Sequence, residues 1–382
     1  MKRLAVILSV IVGFTFSSVD SLSATSFQRG DADSNGSTNI SDVVNVLQYL
    51  FQGQGEPACL DAADVDDSGD VVLSDPIYLL NYLFLAGAAL PAPFGTCGED
   101  PTADNLSCLV QSDECGQGLS GFTYAGVNTA GHKEYDHEQT GIRFVLIPEG
   151  QFDMGSPSEE TGRRENEGPV HRVSLSPYLI AKYEITQAQY EAVMGFNPAF
   201  FQFDWLEDGA GSADLPVDRV SWDQLHAADG FLARTGLELP TEAQWEFAAR
   251  GGQSGTIYHF GDDVSRLGEF SWHDANSGGT THRVGQKTAN QFGLHDMHGN
   301  AWEWTKDGYS ETFYANPAAT GLDPVLNLEN LGLQERVVTC RGGSVRSDAH
   351  SCRSATRDHL MPTDYEVWGL GFRPALKLSQ EQ

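Results

Sequence analysis

The chain has 382 residues, 40% of them hydrophobic, enough apolar material for more than one packed core. Asp and Glu outnumber Lys and Arg by 53 to 23, a formal charge of −30, which argues against nucleic acid or an anionic membrane as partner and favours bound cations.

Residues 1–24 open with Lys2 and Arg3, run through apolar sequence from Leu4 to Phe16, and leave through small and polar residues to Ser23-Ala24. That order is a secretory signal, and its apolar run is too short for a membrane span. No later stretch approaches membrane-helix length, so the expected product is soluble and secreted. In that compartment six cysteines (Cys59, Cys97, Cys108, Cys115, Cys340 and Cys352) can persist as disulfides, with connectivity open.

A gapless repeat follows. Asp31, Asp33, Asn35, Gly36, Ser37 and Asp42 recur 33 positions on as Asp64, Asp66, Ser68, Gly69, Asp70 and Asp75. Each copy places oxygen side chains at loop positions 1, 3, 5 and 7, glycine at 6 for the sharp turn and a carboxylate at 12, the spacing a Ca²⁺ shell requires. After each loop, apolar residues fall at helical spacing: Ile40, Val43, Leu47, Leu50 and Phe51, then Leu73, Ile77, Leu80 and Phe84. With Asp at position 12 and no helix before the loop, residues 25–87 resemble a type I dockerin, a small all-α calcium-binding module. The resemblance implies a cohesin-like partner docking on residues 27–87; a purely structural role for Ca²⁺ is the alternative.

Residues 88–140 read as a Pro/Gly-containing linker carrying Cys97, Cys108 and Cys115, with Cys59–Cys97 and Cys108–Cys115 as the suggested pairs. Within it, His-Lys-Glu-Tyr-Asp-His-Glu at 132–138 reads as a solvated charge cluster rather than a metal site.

From Gly141 the sequence becomes aromatic-rich and Gly-punctuated. Residues 144–156, FVLIPEGQFDMGS, predict two short strands around a Pro-Glu-Gly turn. Thr186, Ser221 and Thr241 are each followed three residues on by Gln189, Gln224 and Gln244, three capping boxes that start helices. Ile185 with Tyr190 and Val220 with Leu225 supply staples, and Gly195, Gly236 and Gly251 mark the expected stops. The expected class is α+β with much irregular structure.

The blocks PVHRVSLSPYLIAKYEITQAQYEAVMG, PVDRVSWDQLHAADGFLARTGLELPTEAQWEFAARGG, NQFGLHDMHGNAWEWTKDGY, RGGS and WGLGFR occur in the order seen in the formylglycine-generating enzyme, or sulfatase-modifying factor, family. The resemblance covers about residues 141–378 and implies that family's C-type lectin-like fold. It also implies a Ca²⁺ site on Asp296, the carbonyls of Gly299 and Ala301, and Glu303, and a substrate cleft lined or supported by Trp302, Ser344 and Arg373.

Active members of the family carry two cysteines shortly after GGS that bind copper as thiolates and oxidise a substrate cysteine with O₂. Counted from GGS without a gap, Ser347 stands at the first position and Cys352 at the second. Aligned on CRSATR instead, Cys352 matches a non-catalytic cysteine and both are lost. Either way half or more of a soft-metal site is missing, and copper is not expected. The favoured fate of Cys352 is a disulfide with Cys340; a buried free thiol and a reactive thiol are the alternatives. The expected function is a secreted calcium-binding protein whose second half is a non-oxidase binding or assembly module, anchored by the dockerin-like module, with a protein or peptide as the ligand of its cleft. The alternative is a copper-dependent oxidase converting a sulfatase cysteine to formylglycine.

Overall fold

The computed structural model describes residues 27–33, 38–52, 57, 59–85, 87–94, 106, 119, 121–202, 211–332, 336–363 and 367–378. The expected signal segment, Asn35, Ser37, Cys97, Cys108 and Cys115 lie outside them. The chain divides into two compact units, Met1–Gln117 and Gly118–Gln382. Among the described residues no helix is long and apolar enough to cross a membrane.

The first unit carries α1 (Ile40–Gln52), α2 (Leu60–Ala63) and α3 (Ser74–Leu85). The long helices follow the two repeat loops, as the apolar spacing predicts. Val43, Val65, Leu79 and Leu90 bury together, so the segment after residue 87, expected as linker, closes this core. Arg29 holds the same region from inside: fully buried, it donates to the carbonyls of Ala92, Asp61 and Asp64 at 3.1, 3.2 and 2.6 Å and pairs with Asp67 at 2.9 Å.

The second unit is built on three sheets. The strands β1 (Phe122–Val127), β2 (Lys133–His137), β3 (Arg143–Ile147), β4 (Gly150–Met154), β5 (His171–Leu175) and β6 (Tyr178–Ala181) come first. Helices α4 (Gln187–Met194), α5 (Trp222–His226), α6 (Phe231–Thr235), α7 (Glu242–Ala249) and α8 (Leu267–Phe270) follow. The chain ends through β7 (Trp302–Gly308), β8 (Gly321–Leu322), β9 (Val338–Arg341), β10 (Asp358–Leu360), β11 (Leu370–Phe372) and β12 (Ala375–Lys377). The sheet orders are β1-β2-β3-β6-β12, β10-β9-β7-β11 and β4-β5-β8.

One expectation changes here. Residues 122–137 are paired strands, not connector: Glu134 and His137 are buried, and Glu134 binds Arg143 at 3.0 Å and Lys182 at 2.6 Å, so the 132–138 cluster is folded into a sheet. The two strands expected around the Pro-Glu-Gly turn form as β3 and β4, and they join different sheets.

All three capping boxes form, with Thr186, Ser221 and Thr241 each accepting from the backbone of the Gln three residues on. The stapling pairs Ile185 with Tyr190 and Val220 with Leu225 are buried. The helix expected to run from Ser221 to Gly236 is split into α5 and α6. At the break, a Cβ on Gly230 would lie 2.3 Å from the Gln224 carbonyl oxygen, so the chain passes closer to its own backbone than any other residue permits.

Candidate functional site

In the first unit the repeat is repeated in detail. Asp42 accepts from the backbone N–H of Asn39 at 2.8 Å and of Asp33 at 3.2 Å; Asp75, 33 positions on, accepts from Val72 at 2.7 Å and Asp66 at 3.2 Å. In the second loop Asp64 accepts from the N–H of Ser68 at 3.0 Å and of Gly69 at 2.7 Å, while Asp70 is exposed.

Asp31, Asp33 and Asp42 bring carboxylate oxygens within 4.8 Å of one another, and so do Asp64, Asp66 and Asp75. Burial first, and then the neighbouring carboxylates, push Asp42 and Asp75 up to about 7, against backbone donors that pull the other way. Three converging acidic oxygens under that repulsion form a donor set that suits a hard divalent cation.

In the second unit the turn after β6 and the turn before β7 meet. Asp296 accepts from the N–H of Gly285 at 2.7 Å through one oxygen, while its other oxygen is buried without a hydrogen bond. Burial leads the shift that raises this carboxyl to about 6. Gly299 is held close, since a Cβ there would sit 2.4 Å from Ser271 Oγ and 2.4 Å from the Trp272 carbonyl oxygen. The orphaned Asp296 oxygen fits a cation.

Glu303 fits one less well. It accepts from Arg373 at 2.7–3.0 Å through both oxygens and from Trp245 Nε1 at 2.7 Å. Sequence reasoning missed a third carboxylate here, Glu184, which accepts from Asn300 Nδ2 at 2.7 Å and Ala301 N–H at 2.8 Å and is raised well above its ordinary value by burial and by Asp296 and Glu303. It lies more than a hundred residues away in the chain, so no local spacing points to it.

Among the expected cleft residues, Trp302 is half-buried and donates its backbone N–H to Gly369 at 2.7 Å. Ser344 packs against Gly369 and donates its N–H to Ser347 Oγ at 2.9 Å, so these residues form one locus. Arg373 is tied to that locus through Glu303, the residue after Trp302. It is fully buried, and besides Glu303 it donates to the carbonyls of Ala181, Lys182 and His295 at 2.9–3.1 Å.

The expected Cys340–Cys352 disulfide is absent: both are buried free thiols. Cys340 lies in β9, opposite Asp358 of β10, within the large core; Cys352 ends a 3₁₀ turn, Ala349–Cys352, and packs with Tyr258 and Leu267 in a separate cluster. Cys352 therefore lies outside the strand that pairs with β9, and that pairing begins only at Asp358. Burial pushes both thiols well above their ordinary range. Gly343 has φ +78°, and a Cβ there would lie 2.8 Å from Cys352 Sγ, so the GGS turn closes directly onto the sulfur.

The arginines around Cys352 are structural. Arg353 binds Glu160 at 2.6 Å and Glu167 at 2.5 Å, Arg357 binds Glu242 at 2.6 Å, and Arg341 pairs with Glu246, all within the interior. Beside them His298 Nδ1 donates to the Cys352 carbonyl at 2.9 Å, so its Nε2 accepts from His259 Nδ1 at 2.9 Å. That arrangement leaves His259 Nε2 buried without a hydrogen-bond partner. Burial depresses His259 to about 2 and His298 to about 4.

Comparison with known proteins agrees with this architecture. The chain is 29% identical over 234 residues to a formylglycine-generating enzyme of Thermomonospora curvata, covering 47% of this chain and 76% of that one. It is 30% identical over 287 residues to that of Streptomyces coelicolor, covering 60% and 88%. It is also 29% identical over 221 residues to the inactive C-alpha-formylglycine-generating enzyme 2 of Bos taurus, covering 44% and 71%. Among solved structures, variable protein 1 of Treponema denticola superposes with a TM-score of 0.53 at 23% identity, covering 67% of this chain and 99% of that one. PvdO from Pseudomonas aeruginosa gives 0.52 at 25% identity, covering 67% and 98%. These likenesses agree with an α+β, C-type lectin-like fold. With residues 129–378 matching the model of the sulfatase-modifying factor enzyme 1-like domain, the chain belongs to that family.

Proposed function

We propose that the second unit is a non-oxidase member of its family that binds a protein or peptide ligand at the Trp302–Ser344 locus. The observation that carries this reading is the state of the thiols: Cys340 and Cys352 are buried in separate clusters, and by the gapless count from GGS Ser347 stands at the first cysteine's position, while the alignment on CRSATR removes both. A soft Cu(I) ion requires paired thiolates, and a thiol whose ionisation is suppressed by burial is a poor ligand. The existence of a relative named as inactive is in keeping with this. The test is copper stoichiometry of the purified chain together with aldehyde formation on a cysteine peptide. The expected result is neither; stoichiometric copper with aldehyde formation would establish the oxidase reading instead.

The first unit is proposed to bind Ca²⁺ in both repeat loops and to dock, dockerin-like, on a cohesin-like partner after export of the chain. The converging carboxylates support the metal. Its exposed apolar residues support the docking, because they too are duplicated at the 33-residue offset: Ile40 and Leu73 are each 49% exposed, Val44 and Ile77 46% and 50%, Phe51 and Phe84 67% and 65%. Duplicated large apolar side chains left in solvent are costly unless a partner covers them. The turn at 296–303 is the secondary calcium candidate through Asp296, and a Cys59–Cys97 bond remains part of the proposal.

A further inference from the structure

A cavity of about 320 Å³ opens beside α5 and the end of β7, within the size range of small-molecule sites. Lys306 at its edge lies four residues along β7 from Trp302, about 13 Å of strand, so the cavity is separate from the Trp302–Ser344 locus.

One wall is flat and fixed. Trp222 donates its indole N–H to the Thr305 carbonyl at 3.0 Å, and His226 stacks on it with ring centres 3.5 Å apart. His226 Nδ1 donates to the Trp222 carbonyl at 2.9 Å, which leaves its Nε2 as an acceptor. Trp222 and Leu328 both rest on the large core, so the wall is preformed.

The rim is polar and uncommitted. Lys306 is engaged by Glu238 at 2.6 Å, but among the described residues nothing pairs with the side chains of Asn327, Glu329 or Arg336. An amide, a carboxylate and a guanidinium together offer donors and acceptors with no net charge. Glu329 and the chain's −30 charge oppose an anion, and Arg336 opposes a simple cation. A ring with one apolar face and hydroxyls around its edge meets both features at once: the face lies on the aromatic wall and the hydroxyls reach the planar polar side chains.

We propose that this cavity binds a neutral pyranose sugar, independently of what the Trp302–Ser344 locus binds. The test is saturation-transfer NMR on the full chain with methyl glucoside, galactoside, mannoside and N-acetylglucosaminide, beside glucuronate and glycine as an acid and a zwitterion. At least one neutral glycoside is expected to bind at millimolar concentration, with affinity reduced about tenfold in Arg336→Ala and in Glu329→Ala, as for loss of one charge-assisted hydrogen bond. Both positions are exposed, so folding is retained, and Glu311→Ala on another surface is expected to leave binding unchanged. No transfer to any neutral glycoside, binding indifferent to both rim substitutions, or preference for glucuronate or glycine would overturn the assignment.

Discussion

Cys352 illustrates how a residue's chemistry is set by what encloses it. Its sulfur is covered by Tyr258, Leu267 and the Gly343 backbone, so native alkylation is expected to leave Cys340 and Cys352 unmodified, and denaturant without reductant to expose both; a disulfide would keep both protected in denaturant. Cys352→Ser would then replace a weakly polar thiol with a buried hydroxyl and cost about 1–3 kcal/mol in thermal or denaturant unfolding. His259 supplies the pH counterpart. Its folded value of about 2 lies below the ordinary 6.5, so the unfolded chain takes up a proton that the folded chain refuses, and stability due to this group is lost as pH falls below 6.5. Compared with His259→Phe, the wild type is expected to lose up to about 1.4 kcal/mol per pH unit below that value. Parallel pH slopes for the two proteins would rule the effect out.

At the scale of elements, the short helices of the second unit owe their ends to single residues. Thr241 accepts from Gln244 N–H at 3.1 Å at the start of α7, and Thr241→Ala is expected to cost about 1 kcal/mol in denaturant unfolding. The loop after β9 is held instead by charge. Arg353 pairs with both Glu160 and Glu167 in the interior, so Arg353→Met is expected to cost about 3–5 kcal/mol, far more than an exposed pair, because two buried carboxylates would lose the cation they share. Capping boxes are legible in sequence because donor and acceptor lie three residues apart. The Arg353–Glu167 pair is not, since 186 residues separate its partners.

At the scale of the whole molecule, the two units answer to different forces. In the first, converging aspartates repel one another; on the proposed function, Ca²⁺ is expected to raise its thermal transition and chelator to lower it. Asp31→Ala with Asp64→Ala is expected to abolish that response, read by calorimetry of the full chain; an undiminished response in the double variant would place calcium elsewhere. What the amino-acid order determined by itself was local: the 33-residue repeat and its helices, the three caps and the acidic loop spacing, because each depends on residues within a turn or two of one another. Tertiary structure alone decided that residues 122–137 join a sheet, that one expected helix breaks at Gly230, that Glu184 approaches Asp296, and that Cys340 and Cys352 fall in separate clusters. Each of those depends on which distant segments share a low-dielectric interior, and neither spacing nor composition records that.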